Sequence, residues 1–323
     1  MHHANHWYGH ANVMSRYTGL AGIPRIWGYL QHGWNSHDGF AVGTAFAPGF
    51  PKFVWSESVA RRAWAAGLRN IAVVGSPWSY LLRLYGQDEW EASKPRREGT
   101  IVYPFHGWEQ QNVVGSHADY VKEIRAVEGD VPITVCLYWN EYKDASVRRA
   151  YESDGFRVIT HGYRGHMWRD TDQEFLDNQL REIRGHRRVV SNRMGSALFY
   201  GASTGAEVGI YGDPMVLEAE RAILGGMQRQ QRMFPLMHQP HVPIEMARQW
   251  AREELGMDEL LSPAEIRKTF GWEHAQRASG GERNLVAEGA MGLAEDHGRG
   301  PLSRVPTDDK AARDAADEAS DPS

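Results

Sequence analysis

From about Glu98 to Pro214, short apolar runs alternate with longer stretches of helical spacing. The apolar runs cover residues 100–105, 133–139, 157–160, 188–191 and 206–211. Each has the length and composition of a strand buried on both faces. Between them, residues 118–127, 145–153, 172–184 and 196–203 carry helical patterns, with stop signals at Asp154-Gly155 and Gly185. Strands alternating with helices of this length predict βαβ units, a parallel sheet and helices on both of its faces.

Residues 1–95 carry a weaker pattern of the same kind, with strands expected at 26–30, 53–55 and 71–74 and a helix over 58–66 ending at Gly67. This half is short for a complete unit of nucleotide-binding type: either it is reduced or further residues precede it. The charged stretch 87–99, QDEWEASKPRREG, reads as a linker or crossover. Helices are expected over 216–231 and 244–255. Another starts at Ser262-Pro263-Ala264-Glu265, where Ser262 is the N-cap and Pro263 the first helical residue. From Arg277 to Ser323 large apolar residues thin out and Gly, Ala and Asp accumulate, the composition of a disordered tail. The expected division is therefore 1–95, a short α/β unit; 96–220, a second α/β unit; 221–276, C-terminal helices; and 277–323, a tail.

Composition narrows the function classes. At 323 residues there is length for about two domains and an ample core. The single cysteine, Cys136, lies in an apolar run, which excludes an intrachain disulfide and suits a reducing cytoplasm. The net charge of −5 argues against general nucleic-acid binding. No apolar run has the length of a membrane span, and the first ten residues lack the form of a signal peptide. His2, His3, His6 and His10 suggest metal by count alone. Their spacing fits no familiar site, they lack a cysteine partner and terminal segments are often mobile, so no metal is assigned.

The most informative segment is 187–214, RRVVSNRMGSALFYGASTGAEVGIYGDP. It reads as strand, turn, small-residue helix and strand. A turn opening a helix with Gly195 and Ser196 offers free N–H groups and the positive end of the helix dipole to an anion. In a parallel sheet that turn lies at the carboxyl edge, where ligands bind. The plainer alternative is a tight helix–sheet contact that needs small residues. Arg193 would add positive charge and Asn192 would hydrogen-bond a hydroxyl. Arg164, after another strand, would flank a base or pair with phosphate, or simply be a solvated loop charge. His32 ends the strand before Gly33 and would serve as a general base near neutrality, or cap the next turn. Asp38 is the alternative base, although a turn aspartate usually caps its own backbone. His106 ends the first strand of the second half in the same manner and would face His32 across a cleft. Trp108, beside it, would stack on a base or merely pack.

Taken together, the strand ending Gln31-His32-Gly33, the unit ending Val73-Val74-Gly75-Ser76-Pro77, and the strand–Asn–x–x–Gly-Ser–helix–strand ending Gly212-Asp213-Pro214 resemble the GT-B class of glycosyltransferases. Among these the likeness is to bacterial enzymes of capsule and surface-polysaccharide synthesis, over roughly residues 24–220. The resemblance implies two facing Rossmann-like domains with parallel sheets. The second would bind a nucleotide-sugar donor and the first a glycan or other hydroxyl acceptor. Gly195 and Ser196 would touch the diphosphate, His32 would sit on the acceptor side and His106 near the reacting centre. It implies no tightly bound cofactor or metal, the nucleotide sugar being a co-substrate. The Glu-x7-Glu arrangement of many retaining members is missing. Two other readings stay open: a nucleotide-sugar epimerase of the same architecture, which would need acidic residues in the cleft, and a non-catalytic domain that binds a glycan or a partner.

Overall fold

The computed structural model describes residues 2–41, 43–93, 97–166, 170–218, 220 and 226–278, with only the backbone of 87–93. The chain opens with a 3-10 segment, His3–Gly9, and helix α1 (His10–Tyr17). Strands β1 (Tyr29–Leu30) and β2 (Lys52–Val54), helix α2 (Glu57–Ala65), strand β3 (Ile71–Val73) and helix α3 (Pro77–Ser93) follow. The three strands form a parallel sheet in the order β1-β2-β3. The N-terminal histidine-rich segment, expected to be mobile, is packed. The fully buried Asn5 donates to the Gly28 carbonyl at 2.9 Å and accepts from the Leu30 N–H at 2.8 Å, so its amide closes the outer edge of β1.

The expected linker at 87–99 is corrected at its start, because α3 continues to Ser93. Its start signal is Ser76-Pro77, with the Ser76 hydroxyl accepting from the Ser79 N–H at 3.1 Å. Trp78, Tyr80 and Leu81 on its first turns are fully buried. Charge beyond Gly86, where the backbone kinks at φ 70, masks the helix in the sequence.

The second sheet is built from β4 (Thr100–Val102), β6 (Ile133–Cys136), β7 (Arg157–Ile159), β8 (Arg188–Ser191) and β9 (Glu207–Ile210). Between them lie β5 (Val113–Val114), α4 (His117–Glu128), α5 (Trp139–Lys143), α6 (Ala145–Glu152), α7 (Phe175–Gly185) and α8 (Ser196–Ser203). All five strands are parallel, in the order β7-β6-β4-β8-β9. Numbered along the chain that is 3-2-1-4-5, the doubly wound order, whose switch point falls between β4 and β8. The long apolar run at 133–139 splits: Trp139 opens α5 instead of ending β6.

Beyond β9 the helix expected at 216–231 is corrected. Val216–Leu217 form β10, antiparallel to β5, and among the described residues helix α9 covers Gly226–Met233. Val216 and Leu217 suit an extended pair better than a helix, being a β-branched residue beside a turn fixed by Asp213. Helices α10 (Ile244–Glu254) and α11 (Pro263–Phe270) follow, the latter opened by the predicted capping box of Ser262 and Glu265. They return to the first sheet: Phe270 packs on Phe53, and Trp272 Nε1 donates to the Arg25 carbonyl at 2.8 Å. One core cluster includes Leu30, Phe53 and Trp55 of the first half together with Ile101, Val189 and Leu198 of the second. The chain is thus an α/β protein of two Rossmann-like parallel sheets with a returning helical C-terminus, the GT-B-like arrangement. Arg277 and Ala278, assigned to the disordered tail, are instead paired with the 19–21 turn. The rest of that tail lies outside the described residues. Among the described residues no helix is long and apolar enough to cross a membrane.

Candidate active site

The carboxyl ends of β4, β6 and β8 and the loop after β1 enclose a cavity of about 480 Å³. It sits at the switch point of the second sheet, where chain direction around the sheet reverses and leaves an unfilled crevice. The sequence-derived residues His32, His106, Arg193, Gly195 and Ser196 all line it. Asp38, Arg164 and Asn192 do not.

The turn after β8 is heavily cross-linked. Ser191 Oγ donates to the Tyr103 carbonyl at 2.6 Å and accepts from the Arg193 N–H at 3.1 Å. Asn192, expected to meet a ligand hydroxyl, is buried and bonded within the fold at both ends of its amide. Its Oδ1 accepts from the Phe105 N–H and its Nδ2 donates to the Asp213 carbonyl, both at 2.7 Å. It ties the ends of β4, β8 and β9 together, which is a scaffold role.

The turn feeds α8, and the two explanations of its small residues divide between two glycines. A Cβ on Gly201 would lie 2.7 Å from the Val189 side chain, so this residue serves the close helix–strand contact. A Cβ on Gly195 would meet nothing within 4 Å, and its backbone is extended (φ −162°). Neither strain nor crowding demands glycine there. What it leaves is space at the N-terminus of α8, which has no side-chain cap and no acidic residue in its first turn. Those orphan N–H groups and the helix dipole form a pole for a negative charge. Ser196 Oγ accepts from the Trp34 N–H at 2.9 Å, joining this pole to the loop after β1. Arg193 stacks on Phe105 at 4.1 Å and pairs with Glu220, at 2.8 Å for one of its two contacts.

On the opposite wall His32 meets the edge of Trp7, ring centroids 4.9 Å apart. Burial, then the charge of Arg164 and neighbouring imidazoles, lowers its pKa to about 3, so it is neutral at physiological pH. Asp38, the alternative base, instead accepts from the Phe40 N–H at 2.9 Å and faces His37 at 3.2 Å. It shapes its own turn, as short aspartate side chains commonly do. His106 is exposed at the mouth. Its Nδ1 sits 2.7 Å from the Gly107 carbonyl. A carbonyl only accepts, so Nδ1 is the donor of this contact. Trp108 donates to Gln111 at 3.0 Å and does not line the cavity.

Arg164 is also corrected. Its guanidinium donates to Glu109 at 2.6 Å and to the Tyr138 hydroxyl at 2.8 Å and lies over Trp7 at 4.2 Å. It braces the wall from behind. The residue of that segment which reaches the cavity is His161, whose Nε2 is 2.9 Å from the Tyr103 hydroxyl. Burial lowers the His161 pKa to about 3 and pushes the Tyr103 phenol up. Tyr8, Tyr103, Tyr138, His161, Gln179 and Tyr200 also line the cavity and were not singled out from the sequence. Position at a strand end was the available signal for Tyr103, Tyr138 and His161. Tyr8, Gln179 and Tyr200 come from helical or 3-10 segments and carried none. Among the described residues that line the cavity there is no aspartate or glutamate. Among the described residues no group of three or more His, Cys, Asp or Glu is placed to hold a metal.

No protein-family description matches the chain, and no curated protein matches it. Solved structures overlap it at low identity. The S. aureus MnaA–UDP structure shares 10% identity over 72% of this chain, with a TM-score of 0.36. UDP-GlcNAc 2-epimerase from Neisseria meningitidis, bound to UDP-GlcNAc, shares 14% over 68%, with a TM-score of 0.32. Medicago truncatula UGT71G1, complexed with UDP-glucose, shares 11% over 75%, with a TM-score of 0.29. The chain spans 62%, 59% and 53% of their respective lengths, less than two thirds of each. At these scores the overlaps carry no inference. The fold stands on the strand order and the chemistry on the cavity.

Proposed function

We propose that this protein is a GT-B-like glycosyltransferase that moves a sugar from a nucleotide-sugar donor to a hydroxyl acceptor. The observation that carries the reading is the uncapped N-terminus of α8 opening beside Gly195 and Ser196 into a cavity at the sheet's switch point. That pole would bind the diphosphate and stabilise it as it leaves. Arg193 would turn from Glu220 toward the phosphates, exchanging one anion for another. His32 would take the proton from the acceptor hydroxyl. Its neutral form is the one able to accept, and an arriving dianion raises an imidazole's proton affinity. His106 would stand near the reacting centre. The attacking oxygen forms the new glycosidic bond as the bond to the diphosphate breaks, a single displacement. The acceptor is a glycan or another hydroxyl compound of polysaccharide or glycoconjugate synthesis.

The absence of carboxylates among the described cavity residues favours this reading over the epimerase, which would draw on acidic side chains. The test is product analysis with a nucleotide sugar, with and without a mixture of glycan acceptors. Release of the nucleoside diphosphate that depends on acceptor supports transfer. Isomerised donor without acceptor would replace the reading with epimerisation.

A further inference from the structure

Four non-glycine residues among those described adopt positive φ: Tyr8, Asn70, Asp170 and Met215. Asn and Asp tolerate this region through local hydrogen bonds. Met215 is buried in the second core and packs where a Gly115 side chain would be, which accounts for its conformation. Tyr8 packs against Phe175 and His10 at the edge of the main core, but that packing does not use its hydroxyl. It lies at φ 58°, ψ 16° in the break between the 3-10 segment and α1, a left-handed conformation that a bulky side chain rarely takes. The backbone is pinned on both sides. The Tyr8 N–H donates to the Arg164 carbonyl at 2.9 Å, and a Cβ on Gly9 would lie 2.5 Å from the Gln173 carbonyl oxygen.

The strained conformation puts the Tyr8 ring on the cavity wall, with its edge against Phe175 at 5.1 Å. It stands next to Trp7, which touches His32, and within electrostatic reach of Arg164, Tyr138 and Tyr200. The hydroxyls of Tyr103 and Tyr138, on the same wall, are hydrogen-bonded within the protein. The Tyr8 hydroxyl makes no hydrogen bond to any described residue, so the cavity that His32 also lines holds an unused phenolic donor. Backbone strain tends to persist where function uses the side chain it places.

Building on the proposed function, we infer that Tyr8 is a specificity-determining residue of the cavity, whose phenol hydrogen-bonds the sugar ring of the nucleotide sugar between the α8 pole and His32. The diphosphate belongs to the α8 end, so Tyr8 distinguishes a nucleotide sugar from the free nucleotide.

The experiment is calorimetric titration and thermal melting of the full chain and of its Tyr8→Phe and Tyr8→Gly variants. The probes are UDP, GDP, CDP and TDP, each alone and as its glucose ester. The expected result is that the ester of the recognised nucleotide binds several-fold more weakly to Tyr8→Phe and at least tenfold more weakly to Tyr8→Gly. The free diphosphate binds all three proteins within twofold. Tyr8→Phe melts as the parent does, since its ring and the contact with Phe175 are kept. If the parent binds nucleotides and both variants bind the ester as the parent does, the inference about Tyr8 is overturned while the functional reading stands. Equal weakening of ester and free diphosphate, with a lower melting point in Tyr8→Phe, assigns Tyr8 to packing and also overturns it. A parent that binds none of the probes overturns the functional reading and the inference with it.

Discussion

Two turns face each other across the cavity, one after β1 and one after β8, and they are held in different ways. The β8 turn is held by its own sheet, through Ser191 and Asn192 to the ends of β4 and β9. The β1 turn is held partly by an amide, Gln31, which accepts from the Trp55 N–H at 2.9 Å and donates to the Gly33 carbonyl at 3.0 Å. Asn35 and Asp38 tie its far end locally, Asn35 accepting from the His37 and Gly39 N–H groups at 2.9 and 3.0 Å, and further anchors come from elsewhere in the chain. The Trp34 N–H reaches Ser196, and Trp34 Nε1 donates at 2.7 Å to Glu254 at the end of α10. Glu254 is also held by Arg62 of α2 through contacts of 2.8 and 2.6 Å. A five-stranded sheet can rigidify its own ligand turn. A sheet of three short strands borrows rigidity from the C-terminal helices, so the β1 side of the cavity depends on residues more than two hundred positions away.

The comparison sharpens first at His32. If the β1 turn supplies the base, His32→Ala lowers turnover by about 10²–10⁴ with donor affinity kept, read from steady-state kinetics beside direct binding. Unchanged turnover would move the base to His106. Next is the borrowed anchor. Glu254→Ala leaves the mostly enclosed Arg62 without its carboxylate partner and costs about 3 kcal/mol in urea unfolding. An effect below 1 kcal/mol would show that the β1 turn stands without α10. On the self-supported side, Asn192→Ala leaves the Phe105 N–H unpaired and costs about 1–3 kcal/mol, with the nucleotide affinity lowered only through the turn's disorder.

Acid should loosen both sides. His10 and His161 are buried, and burial lowers each pKa from 6.5 to about 3. Above pH 6.5 neither the fold nor the unfolded chain protonates them, and they add no pH dependence. As pH falls from 6.5 toward 3 the unfolded chain takes up protons that the fold refuses, so stability declines. Between pH 7 and 5 the loss is at most about 2 kcal/mol for each ring, seen as a falling denaturation midpoint. A midpoint constant over that range would contradict the burial of these rings.

The legibility of the molecule follows the same divide. Residues 188–191 and 196–203 were read from the sequence with the bounds of β8 and α8, because a fully buried strand and a capless small-residue helix have sharp compositional edges. The uncapped start of α8 at Gly195 was legible too, since it depends only on local geometry. Asn192 and Arg164 carried the right chemistry, yet each is spent on a distant backbone or carboxylate. Asp213 and Glu109 are 21 and 55 positions from them, and nothing local signals such pairing. The N-terminal segment was missed for a related reason. Asn5 replaces a strand neighbour with one side chain, which leaves no periodicity to detect.

The central claim is that the open N-terminus of α8 is an anion pole. Thermal melting of the parent and of Gly195→Asp, with and without UDP, GDP, CDP and TDP, tests it most directly. The space beside Gly195 admits the new carboxylate, which would cap the helix and fill the pole with its own negative charge. The prediction is that Gly195→Asp melts higher than the parent without ligand. One nucleoside diphosphate should stabilise the parent by about 2.7 kcal/mol at a hundredfold excess over its Kd, and leave Gly195→Asp unshifted. A parent unmoved by every nucleotide, or a Gly195→Asp variant stabilised as strongly as the parent, would contradict it.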